Sequence, residues 1–238
     1  MNLIIDQGNT FLKVAIFENR KLISQNKFDY QSVSGFIEWC KQYQINHAII
    51  SSVVNFKLDL PFIKEQNIIK LNHATPLPIN NNYNTPKTLG NDRIANVIGA
   101  WCINPNNTNL VIDAGTCIKY DLISSANEYL GGNISPGLIM RFKALNFYTD
   151  KLPLLKPDEK LTQIFGTDTN TSLQCGVILG VKEEVNGFIN RYEKKFKQLT
   201  IFMTGGDLKY FDKTDKKHIF ANKNLTLIGL NEILIYNA

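Results

Sequence analysis

Two short segments hold the residues best suited to chemistry. Ile4-Ile5-Asp6-Gln7-Gly8-Asn9-Thr10 and Val111-Ile112-Asp113-Ala114-Gly115-Thr116-Cys117 each run from a β-branched pair into Asp, one intervening residue, Gly, and then a side chain able to hydrogen-bond. A glycine between two antiparallel strands lets the backbone turn tightly and approach a phosphate, whose oxygens accept from the next side chain or backbone N–H. The aspartate ending the first strand faces the same space and would repel phosphate unless a cation lies between them, which points to a metal-bridged triphosphate. One Asp-x-Gly is most often an ordinary hairpin turn. Two copies in matching context favour a pair of turns holding the β- and γ-phosphates from both sides, since phosphoryl transfer depends on positioning and charge neutralisation.

The elements around the two copies match. Leu12-Lys13-Val14-Ala15-Ile16-Phe17 and Ile118-Lys119-Tyr120-Asp121-Leu122-Ile123 follow as second strands, and third strands begin at Lys21 and Tyr129. Helical stretches come next, over about 32–43 and 137–147. Each half then returns to a buried strand, Ala48-Ile49-Ile50-Ser51-Ser52-Val53 or Thr200-Ile201-Phe202-Met203-Thr204. Before the latter, Leu173, Val177, Val181, Val185, Phe188, Tyr192 and Phe196 recur every three or four positions behind Asn170-Thr171, which predicts a helix over 171–197. Another helix opens near Asn91, with Ile94, Val97, Ile98 and Trp101 on one face. The Asn-rich stretch 104–109 reads as a loop and the domain boundary, giving halves 1–108 and 109–238.

Composition narrows the function classes. The 238 residues are 44% hydrophobic, enough for one large or two modest cores. The net charge of +5 is scattered; Lys194-Lys195-Lys197 and Lys213-Lys216-Lys217 read as solvated faces, so nucleic-acid binding is not expected. The four cysteines and three histidines are isolated, which argues against zinc and suits reduced thiols in a cytoplasm. Asp6 interrupts the apolar start, so the N-terminus does not read as a signal peptide, and no run approaches the ~18 apolar residues of a membrane span. Neither GxxxxGK[ST] nor GxGxxG occurs, which removes the P-loop and the dinucleotide fingerprint.

Further motifs give the chain a family likeness. Gly90-Asn91-Asp92-Arg93 follows Tyr83, and Gly131-Gly132-Asn133-Ile134-Ser135-Pro136-Gly137, Asn170-Thr171 and Thr204-Gly205-Gly206 succeed one another in order. With the two Asp-x-Gly turns they resemble the superfamily of actin, sugar kinases and heat-shock ATPases, and within it type III pantothenate kinase, over nearly the whole chain. The resemblance implies an α/β fold of two similar ribonuclease H-like (actin-like ATPase) domains, each a mixed β-sheet flanked by helices, with the nucleotide cleft between them. It implies transfer of the γ-phosphate of ATP to the terminal hydroxyl of pantothenate, toward coenzyme A. ATP would be bound by Asp6, Gln7, Gly8, Asn9, Thr10, Phe11, Leu12, Lys13 and Thr116. Tyr83, Gly90, Asn91, Asp92, Arg93 and Thr171 would bind pantothenate, with Asp92 as general base.

At a helix start the positive end of the dipole favours a carboxylate, so Asp92 also suits plain capping, and Arg93 suits a structural ion pair. The resemblance assigns Asp113 a monovalent cation, K+ or NH4+, and Mg2+ would accompany ATP near Asp6. It also implies a homodimer, for which Leu173, Cys175 and Val177 offer a small apolar face. The chain departs from the family pattern after the second turn, where Cys117-Ile118-Lys119 replaces Ala and two hydroxyl residues, and Lys119 can supply part of the cation's charge. The alternatives are a sugar or acetate-type kinase of the same architecture, lacking the Gly90–Arg93 motif, and a non-catalytic ATP-binding regulator.

Overall fold

A computed structural model describes residues 1–8, 11–211 and 219–238. Asn9 and Thr10, and Lys213, Lys216 and Lys217 of the second basic cluster, lie outside the described residues. The chain divides into two units, the first formed by 1–106, 123–131 and 224–238, the second by 107–122 and 132–223. The first passage between them falls beside the 108/109 boundary read from the sequence. The later passages put the C-terminal helix in the first unit.

In the first unit β1 (Asn2–Gln7), β2 (Leu12–Glu18) and β3 (Lys21–Phe28) form an antiparallel meander, and β4 (His47–Ser52) and β5 (Ile68–Lys70) add in parallel on the other side of β1. The sheet order is β3-β2-β1-β4-β5. Period-two alternation puts Leu3 and Ile5 with Leu12, Val14 and Ile16 in one core, which Phe36 and Cys40 of α1 (Val33–Cys40) complete. A short β6 (Asn80–Asn81) pairs with the first residues of β9 (Glu128–Pro136). α2 (Asn91–Ile103) is buried from Arg93 to Ala100 and packs on α5 (Leu225–Asn237). The two helices approach so closely that a Cβ on Gly229 would stand 1.8 Å from the carbonyl oxygen of Ala95.

The second unit repeats the plan. β7 (Asn109–Ala114) and β8 (Cys117–Ile123) flank the second turn, and β10 (Thr200–Thr204) and β11 (Ile219–Ala221) add in parallel beyond β7. The order β9-β8-β7-β10-β11 is the counterpart of β3-β2-β1-β4-β5. α3 (Leu138–Phe147) and α4 (Thr169–Lys195) cover this sheet, and Leu173, Val177, Val181, Val185 and Ile189 form the buried stripe of α4. Leu173, Cys175 and Val177, the apolar face expected at a subunit contact, are largely buried within their own chain. Among the described residues no helix is long and apolar enough to cross a membrane.

Candidate active site

The first turn is built on the end of β1. The Gly8 N–H donates to the Phe11 carbonyl at 3.1 Å, and the Tyr30 hydroxyl donates to the Gly8 carbonyl at 2.6 Å, so the turn is tied back to the unit. Asp6 and Lys13 are direct cross-strand partners. Burial, and next the charge of Asp6, push the Tyr30 hydroxyl above its ordinary pKa. Asp6 is the carboxylate at this turn that could ligate a hard cation.

The other residues assigned to ATP divide by strand alternation. The Lys13 side chain is exposed, and Phe11 lies under the Lys27 ammonium, 3.4 Å from its ring centroid. Leu12 belongs to the core, so its side chain cannot reach a nucleotide and only its backbone remains available. Gln7 is 2% exposed, and its Nε2 has no partner among the described residues. A buried amide donor left in that state costs about 1–3 kcal/mol.

The second turn is enclosed by two more glycine segments of its own unit. The Gly115 N–H donates to the Cys117 carbonyl at 3.1 Å, which leaves Thr116 exposed at the tip. The Gly137 N–H donates to the Thr116 carbonyl, and a Cβ on Gly137 would stand 2.2 Å from the Gly115 oxygen. On the opposite flank Gly205, at φ +102°, touches Ala114 so closely that a Cβ would stand 2.1 Å from the Ala114 oxygen, and the Asp207 N–H donates to that same oxygen. The motifs at 131–137 and 204–206, read separately in the sequence, thus converge on the Asp113–Thr116 turn.

Asp113 meets a different partner from the one expected. The Lys119 ammonium lies 2.7 Å from its Oδ2, with the two side chains only 16% and 14% exposed. A lysine ammonium thus stands at Asp113 Oδ2, beside the carboxylate to which the resemblance assigned K+ or NH4+.

Asp207 did not stand out in the sequence, although it directly follows Thr204-Gly205-Gly206. Burial pushes its carboxyl up; Lys209 draws it partly back and the Asp113 charge adds to the rise. A carboxyl whose folded pKa is raised binds its proton more tightly when folded, so stability falls as pH rises through the window between the unfolded and folded values, and stays reduced above it. Asp207→Asn is accordingly expected to raise the melting temperature at pH 7. The gain over wild type should vanish below the ordinary carboxylate pKa, as thermal unfolding followed from pH 3 to 8 would reveal.

The residues assigned to pantothenate fall into two groups. Tyr83, Gly90, Asn91, Asp92 and Arg93 come together in the first unit. Asn91 anchors the start of α2 by donating from Nδ2 to the Leu71 carbonyl at 3.0 Å. Asp92 sits in the first turn, where its Oδ1 accepts from the Arg93 N–H at 2.9 Å. Arg93 is 4% exposed, with its guanidinium carbon 5.5 Å from the centroid of the Tyr83 ring, which packs in turn on Tyr129. An aromatic ring, a buried guanidinium and a half-buried carboxylate on one helix start can hold a small acid and a hydroxyl.

Thr171 belongs to the second unit and closes the capping box of α4. Its N–H donates to Asp168 Oδ1 at 2.9 Å, and its Oγ1 accepts from the Thr167 and Asp168 N–H groups. The same unit holds Glu184 between Ser135, Arg141 and Tyr120. Burial alone would push Glu184 up, but the hydrogen bonds from Ser135, Arg141 and Tyr120 outweigh it and keep the carboxyl below its ordinary range.

The chain is similar to known proteins. The family model of type III pantothenate kinase matches residues 2–191. A type III pantothenate kinase of Phocaeicola vulgatus is 44% identical over 240 residues, covering 100% of this chain and 99% of its own. The chain belongs to the type III pantothenate kinase family. Another type III pantothenate kinase, of Christiangramia forsetii, is 43% identical over 241 residues with 100% and 99% covered. In structure, the activator of 2-hydroxyisocaproyl-CoA dehydratase from Clostridium difficile, solved with ADPNP, superimposes with a TM-score of 0.57. Its identity is 13%, with 98% of this chain and 93% of that chain covered, which speaks for the fold alone. The actin-like ATPase fold that the resemblance implied is thus the fold of this kinase.

Proposed function

We propose that this type III pantothenate kinase transfers the γ-phosphoryl group of ATP to the terminal hydroxyl of pantothenate, giving 4'-phosphopantothenate and ADP in the first step of coenzyme A synthesis, with Asp92 as general base. The observation that carries the reading is the family match along the chain, joined to the grouping of Tyr83, Asp92 and Arg93 at the start of α2. The Arg93 fork, fixed over Tyr83, binds the carboxylate or amide of pantothenate. Asp92 accepts the hydroxyl proton as the new O–P bond forms and the bond to the ADP oxygen breaks. The Thr116 hydroxyl and the backbone amides of its turn bind phosphate oxygens of ATP. Magnesium bound with ATP, held by Asp6 through water, would neutralise phosphate charge. A coupled ADP-release assay across pantothenate, hexoses and acetate tests the substrate: turnover is expected with pantothenate alone, and a pantothenate rate equal to the blank would refute the assignment.

The kinase acts in the cytoplasm as a homodimer. Its four cysteines are free thiols, in keeping with a reducing compartment. Support for the dimer comes from the second unit, where a cavity of about 880 Å³ is lined by Leu145, Tyr148, Leu152, Leu173 and Val177. Phe147, Tyr148, Ile164 and Phe165 of the same unit are left exposed. A second copy of the chain covers this apolar surface. Sedimentation at micromolar concentration is expected to give a species of twice the chain mass, and a monomer would count against it.

A further inference from the structure

We infer that the Lys119 ammonium is a built-in monovalent cation, so that nucleotide binding and phosphoryl transfer by this kinase need neither K+ nor NH4+. The inference rests on the kinase reading above and deepens it at Asp113. In the second unit Asp113 ends β7 immediately before the phosphate turn, and Lys119 returns from β8 to place its Nζ 2.7 Å from Asp113 Oδ2. Both side chains are largely withdrawn from solvent, so the pair is less screened than a surface ion pair. The charge balance of the pocket points the same way. The Asp207 main chain is held beside Ala114 by its N–H, and its carboxyl feels the Asp113 charge, so two carboxylates border the turn that receives an anionic nucleotide. A positive charge is required there before phosphate can enter.

A lysine side chain ends in the same chemical group as an ammonium ion, carrying one positive charge and three N–H donors. Tethered four carbons from the backbone, it does not dissociate, whereas a free cation occupies its site only in proportion to its concentration. The two hydroxyl residues expected after the second turn would leave room and oxygen ligands for a diffusible ion. Ile118 and Lys119 remove those ligands: Ile118 turns into the core and Lys119 fills the space with the charge itself.

The test uses the full-length kinase in choline chloride at constant ionic strength, titrated with KCl or NH4Cl, reading ADP affinity by calorimetry and pantothenate phosphorylation in parallel. For wild type both readouts are expected to change less than twofold from 0 to about 100 mM K+. Lys119→Ser should lose at least about tenfold in ADP affinity in choline, a change of about 1.4 kcal/mol, and regain most of it with K+ or NH4+. Lys119→Met, which fills the space without charge, should lose affinity and not be rescued. Wild-type ADP affinity that rises tenfold or more with K+ would overturn the inference, as would Lys119→Ser binding ADP like wild type in choline. The calorimetric arm needs no acceptor, so absence of pantothenate phosphorylation in every salt would count against the kinase reading while the cation question is still answered.

Discussion

Asp92→Asn is expected to lower pantothenate turnover roughly 10²–10⁴-fold, the usual contribution of a positioned base, while leaving ADP affinity and the melting temperature close to wild type. The structure makes these readouts separable. Asp92 accepts the Arg93 N–H through Oδ1, and an asparagine carbonyl oxygen in the same position accepts that hydrogen bond equally well. That hydrogen bond at the helix start is preserved, while the negative charge and the capacity to take a proton are lost. Steady-state kinetics beside calorimetric ADP binding would check it. Asn at this position with turnover within a few-fold of wild type would assign Asp92 to capping alone and move the base elsewhere.

Gly205→Ala is expected to damage both stability and nucleotide binding, through backbone geometry. Gly205 lies at φ +102°, which a side chain adopts at a cost of about 1–3 kcal/mol. The added methyl would also stand 2.1 Å from the Ala114 carbonyl oxygen, an overlap with main chain that only a shift of β10 or of the second turn can relieve, costing another ~1–3 kcal/mol. Since Ala114 directly precedes Gly115 and Thr116, that shift moves the phosphate turn, and ADP affinity should fall by at least about tenfold, equivalent to ~1.4 kcal/mol. Gly206→Ala is the control: a Cβ there meets nothing within 4 Å among the described residues, so its effect should stay within about 0.5 kcal/mol. Thermal unfolding and calorimetry of both variants distinguish them, and equal behaviour would refute the role given to Gly205.

The repeated half was readable because each of its parts has a local signature. Alternating β-branched residues, a glycine at the bend and a second alternating run define β1–β2 and β7–β8 without tertiary information. α4 announces itself by its long 3.6-residue stripe, while its start lies two residues before the predicted 171, at Thr169 behind the Asp168 cap. α5 carries no such signature. Leu225–Asn237 is apolar on nearly all sides because sheet and α2 bury it on several faces, so no stripe separates inside from outside. Its place in the first unit depends on long-range packing, including the close approach of Gly229 to Ala95, which no local pattern records.

The candidate site was readable to a similar depth. Motif order put the residues forward, with Leu12 and Lys13 both assigned to ATP, and the structure separates Leu12, facing the core, from Lys13, facing out. Three facts required coordinates. Gly137 and Gly205 press on the same turn although they lie 68 residues apart in sequence. Asp207 is driven into a partly buried position by the bend that precedes it. Lys119 reaches Asp113, where the sequence offers only a missing hydroxyl and a positive charge nearby.

The most direct test of the central claim follows the phosphoryl group itself. Kinase is incubated with ATP labelled in its γ-phosphate and with pantothenate, and the products are separated and identified by mass spectrometry and phosphorus NMR. The account predicts the label on the terminal hydroxyl oxygen of pantothenate, one equivalent per ADP released. Label recovered only as inorganic phosphate, or retained in ATP with pantothenate unchanged, would contradict it.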